Sequence, residues 1–380
     1  MKKYILLILI ILSVINCSKN VSSVLKKTLT TKKNVSIPID INTSYKSRLI
    51  HIQDKNDTTY LIRKNTYTNS ILIYNWNTQK KVKTYTFEQK GSNGIIKFDT
   101  SGFIEIEEDL FLIGTAKSEI YLVKNDSVLY KKIFDKTGYG FGTMINGFNK
   151  NLPIIIENEV YFFRKPPVAI NDGAYYDYNL LTKFNLKSKS LNEINVKYPQ
   201  AYKKGECWGF THLRQSFTLN NKNEIIFSFP IDSNLYKYDI GNNSFKKVLS
   251  DLQSRFKTTL VPMPCNNLTD EEYQYYIKAS TCYESIKYDK FRNIYYRIIL
   301  LKPDDLTMVN AVNLDYKVSI MVLDSNFKII SEDLLPLGKY DFEDLFVTKE
   351  GLWMSTNNPN NPNFNDEIMS FDLLTLKDTI

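Results

Sequence analysis

The chain has 380 residues, of which 13% are aromatic, and carries a formal net charge of +8 at pH 7. Its 14 glycines and 12 prolines are too few for a low-complexity protein, and its 26 tyrosines suit β-strands, which favour aromatic side chains. Seven lysines lie within the first 33 positions and no basic stripe with interleaved aromatics follows, so we expect no nucleic-acid partner.

The first 16 residues have the pattern of an export signal. Lys2 and Lys3 precede an apolar run from Tyr4 to Ile15 that only Ser13 interrupts, and Cys17 follows at once. A helix of about a dozen residues spans about 18 Å, whereas the hydrocarbon layer of a membrane is about 30 Å thick. We therefore interpret residues 1–16 as a signal peptide that is removed. A short membrane anchor that stays attached is the alternative.

The sequence Val14-Ile15-Asn16-Cys17 resembles a lipobox, although Asn16 stands where Gly, Ala or Ser is more common. The resemblance implies that Cys17 is lipidated and that its acyl chains hold the protein on a membrane, since several chains anchor stably where one is marginal. Ser18 follows where an inner-membrane retention signal places Asp. We therefore expect an outer-membrane lipoprotein of the cell envelope, facing either the periplasm or the cell surface.

Residues 17–40 are predicted to be the lipidated cysteine and a basic tether. The segment from Ser18 to Ile39 holds five lysines and no acidic residue. A lysine near an anionic membrane adds about 1 kcal/mol of attraction. A solvated linker without membrane contact is the alternative interpretation.

Residues 41–380 contain a unit that recurs six times. Each copy has an aromatic-rich apolar run, a gap, and a second apolar run followed by turn residues, with β-like stretches before and after. The first runs lie at 59–63, 110–113, 160–163, 225–229, 294–298 and 352–355, and the second at 71–74, 120–123, 180–184, 235–238, 318–322 and 368–371. This pattern predicts an all-β fold, a six-bladed β-propeller of four-stranded antiparallel blades behind the lipoprotein signal.

Two further elements are predicted from the same pattern. A propeller closes when one blade combines strands from both ends of the chain, so we expect Asn34 to Ile39 to form the outer strand of the last blade. Between the fourth and fifth units lies an insertion in which Asp270 to Ala279 is expected to be a short helix capped by Thr269, with three acidic residues in its first turn.

The connecting segments differ between the two faces of such a propeller. Turns from first to second and from third to fourth strands lie on one face, here called the turn face, and they are short. Connections from second to third strands and between blades lie on the other, here called the long-loop face. The long segments 164–178, 197–214, 250–282, 301–316 and 356–366 all belong to the long-loop face. Binding residues concentrate on scaffolded loops, so we place the function there.

The candidate ligand-binding residues on that face are aromatic and basic: Arg164, Tyr175, Tyr176, Trp208, His212 and Arg214. Aromatic rings with arginine suit sugar stacking or a protein–protein contact. Packing of some of these side chains in the core is the alternative. The sequence predicts a membrane-anchored, non-catalytic module whose partner is an envelope protein or a glycan.

No catalytic or metal-ligating residue is assigned, because the chain contains no nucleophile elbow, phosphate-binding glycine loop or zinc-binding helix motif. The competing hypothesis is a propeller hydrolase or lyase with a metal ion in its central channel. Strand alternation would place Glu105 and Glu107 on one face of the strand, an arrangement that suits a Ca²⁺ contact.

Three cysteines remain after Cys17. Cys265 and Cys282 lie in the same insertion, and a disulfide between them is the pairing we consider, since the periplasm is oxidising. Cys207 would then be left over.

From Cys17 onward, the chain resembles DUF4221, a Bacteroidota lipoprotein family of unknown function related to six-bladed propeller lipoproteins. The resemblance rests on the segments Glu88–Gly94 and Phe227–Tyr236, and on Gly351-Leu352-Trp353 followed by Asn357–Asn363. It implies the propeller fold and supplies no catalytic residues.

Overall fold

The computed structural model describes residues 27–47, 49–95, 102–114, 119–133, 149–166, 168, 173–203, 206–248, 252–256, 258, 260, 262–263, 268–303 and 316–379. These residues form six four-stranded antiparallel sheets that make a six-bladed β-propeller. The repeat in the sequence predicted this architecture. Cys17, the signal peptide and Cys265 lie outside the described residues.

The first half of the propeller follows an N-terminal strand, β1 (Lys27–Pro38). Blade 1 consists of β2 (Ile50–Lys55), β3 (Thr58–Asn65), β4 (Ser70–Asn75) and β5 (Lys80–Thr86). Blade 2 consists of β6 (Phe103–Glu107), β7 (Leu110–Gly114), β8 (Glu119–Lys124) and β9 (Ser127–Ile133). Blade 3 consists of β10 (Ile154–Ile156), β11 (Glu159–Phe163), β12 (Leu181–Asn185) and β13 (Leu191–Ile194).

The second half contains the one described α-helix. Blade 4 consists of β14 (Ser216–Leu219), β15 (Glu224–Ser228), β16 (Leu235–Asp239) and β17 (Ser244–Lys247). The helix α1 (Asp270–Ala279) precedes blade 5, which consists of β18 (Cys282–Asp289), β19 (Ile294–Leu301), β20 (Lys317–Leu323) and β21 (Ile329–Leu334). Blade 6 consists of β22 (Asp341–Thr348), β23 (Gly351–Ser355), β24 (Ile368–Asp378) and β1.

Short 3-10 helices occupy the connections at Asn149–Asn151, Gly173–Asp177, Gln200–Tyr202 and Phe210–Leu213. The helix α1 begins as predicted, because the Thr269 hydroxyl accepts the Glu272 N–H at 3.2 Å while the Glu272 carboxylate accepts the Thr269 N–H at 2.8 Å. This reciprocal pair satisfies two backbone donors that the first turn leaves free.

The propeller closes through its N-terminal strand. β1 pairs antiparallel with β24 from Lys27 opposite Asp378 to Pro38 opposite Ile368. The predicted outer strand of the last blade is therefore confirmed, and it begins at Lys27, earlier than expected. Part of the segment predicted to be a basic tether is thus built into blade 6, where Lys33 Nζ lies 2.7 Å from Glu350 Oε1.

The second and third strands of the blades carry most of the core. β19 is buried along all eight of its residues and β15 along all five, whereas the outer strand β5 is exposed at six of seven positions. A strand covered on both sides by neighbouring blades must be apolar at nearly every position. This is why the six pairs of apolar runs are visible in the sequence while the outer strands are not.

The turns on the turn face use residues that tolerate left-handed backbone. Asn56, Asp109, Asn223 and Asn293 all have positive φ in first-to-second turns. Asn and Asp adopt this conformation more readily than other non-glycine residues. Among the described residues, no helix combines the length and apolar character needed to cross a membrane.

Candidate functional site

The long-loop face carries the connections that the sequence assigned to it. The segments joining β11 to β12, β19 to β20 and β23 to β24 lie between second and third strands, and those joining β13 to β14 and β17 to β18 lie between blades. In an antiparallel blade all of these ends meet at one face. Parts of four of these five segments fall outside the described residues.

The structure brings the predicted aromatic residues together over blades 3 and 4. The ring centroids of Tyr175 and Tyr176 are 5.7 Å apart, and those of Trp208 and His212 are 6.3 Å apart. Tyr202 joins the two pairs, with its ring 6.0 Å from Tyr176 and 6.3 Å from Trp208. The six residues therefore belong to one region, as expected from their shared face.

Most of that aromatic group is core. Tyr175, Trp208 and His212 are 1%, 4% and 2% exposed, whereas Tyr176 is half-buried. For these three the alternative reading, packing, describes their position in the structure. Of the six candidate residues, Tyr176, Arg164 and Arg214 keep partly exposed side chains.

Two buried tyrosines that we did not predict hold this region together. The Tyr198 hydroxyl donates to the Leu213 carbonyl and the Tyr202 hydroxyl donates to the His212 carbonyl, both at 2.7 Å. Burial raises the pKa of both phenols well above the ordinary value, so both remain donors. The sequence places both tyrosines in the long 197–214 segment, but it does not show which tyrosine side chains point into the core.

The two arginines lie at the edge of the aromatic group. The Arg164 guanidinium forms an ion pair with Glu193. Burial lowers the pKa of the Lys165 amine, and the positive charge of nearby Arg214 lowers it further. With half-buried Tyr176, they form a small basic and aromatic surface on a rigid base, here called the Tyr176 surface.

A second polar cluster lies at the long-loop end of the central channel. The 3-10 helix Asn149–Asn151 packs against β14, β18 and β22, the first strands of blades 4, 5 and 6. Lys150 Nζ lies 2.6 Å from Glu284 Oε1, and both residues are less than 10% exposed. The Ser216 hydroxyl donates to the Lys150 carbonyl and accepts the Ile286 N–H. We call this the channel cluster.

Cys282 and His212 border the channel cluster in neutral form. Cys282 Sγ is 3.8 Å from Glu284 Oε2, and burial together with this carboxylate raises the pKa of the thiol well above its usual range. Burial, with Lys150 nearby, lowers the pKa of His212 to about 4. A protonated thiol is not the nucleophilic form, so this arrangement differs from an activated cysteine–histidine pair.

The disulfide considered between Cys265 and Cys282 is wrong. Cys282 is a free, buried thiol, whereas Cys207 is disulfide-bonded. The Cys282 side chain packs in the apolar cluster shared by blades 5 and 6. Membership of one insertion was a poor guide to the pairing, because Cys282 is the first residue of a channel-lining strand.

The acidic stretch before β7 does not alternate as we assumed. The register shifts between Glu105 and Glu107, so the two side chains no longer follow a simple two-residue period. Lys55 pairs with Glu108 at 2.7 Å and Lys83 pairs with Asp109. The described residues contain no group of three His, Cys, Asp or Glu side chains arranged to hold a metal ion. A Ca²⁺ contact remains a prediction.

Comparison with known proteins agrees with this architecture. A family model described as a domain of unknown function (DUF4221) matches residues 22–334. The crystal structure of a DUF4221 member from Bacteroides vulgatus superposes with a TM-score of 0.79 at 21% identity, covering 93% of this chain and 99% of that one. A Bacteroides fragilis protein described as exported superposes with a TM-score of 0.57 at 11% identity, covering 95% and 98%.

At these identities the structural matches show the fold alone. No curated protein of established function matches the chain.

Proposed function

This chain belongs to the DUF4221 family, and we propose that it is an envelope lipoprotein whose propeller binds a protein or glycan partner through the long-loop face. The observation that carries the proposal is the asymmetry of the two faces. The turn face is made of short turns, whereas the long-loop face carries every long connection and the Tyr176 surface.

The Tyr176 surface suits recognition because its base is rigid. Tyr176 contacts the rings of Tyr175, Tyr198 and Tyr202 at centroid distances of 5.6–6.0 Å. A ring held in place loses little conformational entropy when it binds, and aromatic and arginine side chains dominate binding energies at interfaces. The same groups stack on sugars or fill a pocket on a protein.

The anchoring part of the proposal rests on Cys17. The first residue of β1 is Lys27, so nine residues separate Cys17 from the folded body. The ten Cα–Cα steps from Cys17 to Lys27 reach at most about 35 Å, which keeps the propeller close to the membrane surface. The export signal and the absence of an acidic residue after Cys17 favour the outer membrane.

The competing hydrolase or lyase needs a metal ion near the channel axis. At the long-loop end of the channel, Glu284 is already neutralised by the Lys150 ammonium at 2.6 Å. A bound lysine in this place supplies the positive charge that a metal would supply. This contact favours the binding module over the metal-dependent enzyme.

The test is binding by the mature protein, purified from the envelope in a zwitterionic detergent. A thermal-shift scan against a glycan panel, Ca²⁺ and EDTA detects ligands, because binding to the folded state alone raises the melting temperature. Crosslinking in the envelope identifies protein partners. Tyr176→Ala should weaken the binding found by about tenfold, while Tyr130→Ala on the outer strand of blade 2 leaves it unchanged.

Equal binding by the Tyr176→Ala and wild-type proteins would contradict the assignment of the long-loop surface. A Ca²⁺-dependent shift reversed by EDTA would instead favour the enzyme. Metabolic labelling with a fatty acid tests the anchor separately, since Cys17→Ala should abolish the label.

A further inference from the structure

A cavity of about 260 Å³ opens on the turn face, at the seam between blades 6 and 1. It lies between the β4–β5 turn, the β22–β23 turn and the closing strand β1. At about 30 Å³ per water, its volume equals that of about nine water molecules. It therefore has room for one small ligand of the size of a sugar ring.

The apolar wall of this seam cavity is formed by Trp76 and Val35, both less than 10% exposed. The Trp76 ring is held nearly perpendicular to Phe346 and Trp353, with centroid distances of 5.0 Å to each. These contacts fix the indole before any ligand arrives. Trp76 is 6% exposed, and the exposed part of this fixed indole gives the C–H groups of a sugar ring an apolar contact.

The polar rim combines donors and acceptors. Asn77 Oδ1 accepts the Thr59 N–H at 3.0 Å, which orients the amide, and Gln79 is exposed beside it. Across the opening, Lys33 Nζ and Glu350 Oε1 form an ion pair at 2.7 Å. Amides and a carboxylate paired with an ammonium match hydroxyl groups, each of which donates and accepts.

We propose that the seam cavity binds a single pyranose sugar, either free or as the terminal unit of a glycan. A phosphate ligand would require a cluster of cationic side chains or free backbone N–H groups in the cavity. Here Lys33 is already paired with Glu350, which leaves Lys349 as the one unpaired cation among the described lining residues. An apolar ligand would leave the amide rim unsatisfied.

This inference is independent of the proposed function. The seam cavity lies on the opposite face from the Tyr176 surface and shares no residue with it. It requires neither lipidation nor a partner on the long loops.

The experiment is saturation-transfer difference NMR on the mature protein with glucose, galactose, mannose and N-acetylglucosamine, each at about 10 mM. At this concentration a Kd of about 1 mM gives about 90% occupancy. We expect transfer to at least one sugar, strongest at the ring protons that face Trp76. Gln79→Gly and Asn77→Ala should each weaken the affinity at least about fivefold.

Gln79→Gly is informative because misfolding cannot explain its effect. Gln79 has φ +60°, a conformation that glycine adopts without strain, so the variant should melt no lower than the wild type. Asn125→Gly makes the same change at φ +46° in the corresponding turn of blade 2, and should leave sugar binding intact. No transfer to any of the four sugars overturns the proposal. So does an affinity, obtained by titrating the transfer signal, that is unchanged in both cavity variants or falls equally in the Asn125→Gly control.

Discussion

Two fully buried arginines lie at different blade interfaces, and they differ in the hydrogen bonds that their guanidinium groups make. Arg297 of β19 donates from Nε to the Ser228 hydroxyl at 3.0 Å, and its two terminal nitrogens donate to the Ser233 and Asp232 carbonyls. Its guanidinium also lies 3.9 Å from the centroid of the Tyr283 ring. Every polar atom of this side chain is used, so blade 4 and blade 5 are joined through it.

Arg63 of β3 is equally buried, but none of its three side-chain nitrogens has a hydrogen-bond partner among the residues that the structure describes. Asp344 of β22, also 0% exposed, is the acidic group that acts on it across the seam of blades 6 and 1. The Ser47 N–H donates to Asp344 Oδ2 at 3.3 Å, while Oδ1 has no partner. Burial raises the pKa of Asp344 to about 7 despite the arginine.

The difference shows that burial of a charge says little about its contribution to stability. Removing an ion from water costs free energy, and only well-formed hydrogen bonds in the folded protein offset that cost. Arg297 therefore stabilises its interface, whereas Arg63 and Asp344 are close to neutral or costly for theirs.

The largest expected effect is at Arg297. Arg297→Met leaves one buried carbonyl, one part-buried carbonyl and a buried hydroxyl without this donor, so we expect the free energy of unfolding to fall by about 4 kcal/mol. Urea denaturation measures this change. Lys222→Met, at an exposed turn, is the control. A loss below about 1 kcal/mol would mean that the Arg297 hydrogen bonds contribute nothing net.

The channel cluster should behave like Arg297. Lys150→Met strands the Glu284 carboxylate in a buried place, and we expect a loss of about 3 kcal/mol at pH 7. The double variant Lys150→Met/Glu284→Gln should recover more than half of that loss, since it removes the stranded charge. Failure of the second substitution to restore stability would show that Lys150 acts through packing alone.

The pH dependence separates the seam from the channel cluster. Between pH 4 and 7, folded Asp344 holds a proton that the unfolded chain has lost, so this group makes stability fall as pH rises, by up to about 1.4 kcal/mol per pH unit. His212 acts oppositely between pH 4 and 6.5, because the unfolded chain binds the extra proton and stability falls as pH falls.

Urea denaturation at several pH values tests these two opposite pH dependences. In Asp344→Asn the free energy of unfolding should rise more with pH than it does in the wild type. In His212→Gln it should rise less. Identical slopes for the two variants would contradict the opposite signs of these pKa shifts.

The smallest effect is expected at the seam. The double variant Arg63→Met/Asp344→Asn removes both poorly satisfied charges, and we expect its free energy of unfolding to stay within about 1 kcal/mol of wild type. The comparison with Arg297→Met is then direct. A loss as large as that of Arg297→Met would show that bound water completes the seam network.

Much of the fold was readable from the sequence because the signals are local. The second and third strands read as apolar runs since both of their sides are covered, and Asn or Asp marks the turns between strands. The capping box of α1 is likewise contained in four residues, Thr269 to Glu272. The propeller, its blade count and its two unlike faces follow from such patterns.

The candidate site was only partly predictable. The sequence placed the six candidate residues on one face, but which rings of that region turn into the core depended on contacts with Tyr198, Tyr202 and Phe229. The early part of β1 was missed because its polar residues show no apolar pattern. It is held instead by β24 and by Asp333 of blade 5, whose carboxylate accepts from the Thr28 hydroxyl at 2.6 Å.

By itself, then, the sequence determined the repeat, the closure by an N-terminal strand and the side of the molecule that carries the long loops. Only the tertiary structure decided that Lys150 neutralises Glu284 across 134 positions, that Cys282 stays a free thiol, and that the closing seam forms a cavity. The physical reason is the distance along the chain over which each kind of interaction acts. Backbone conformation and burial leave a periodic trace along the chain, whereas the partner of a buried charge or sulfur is chosen by packing between distant blades.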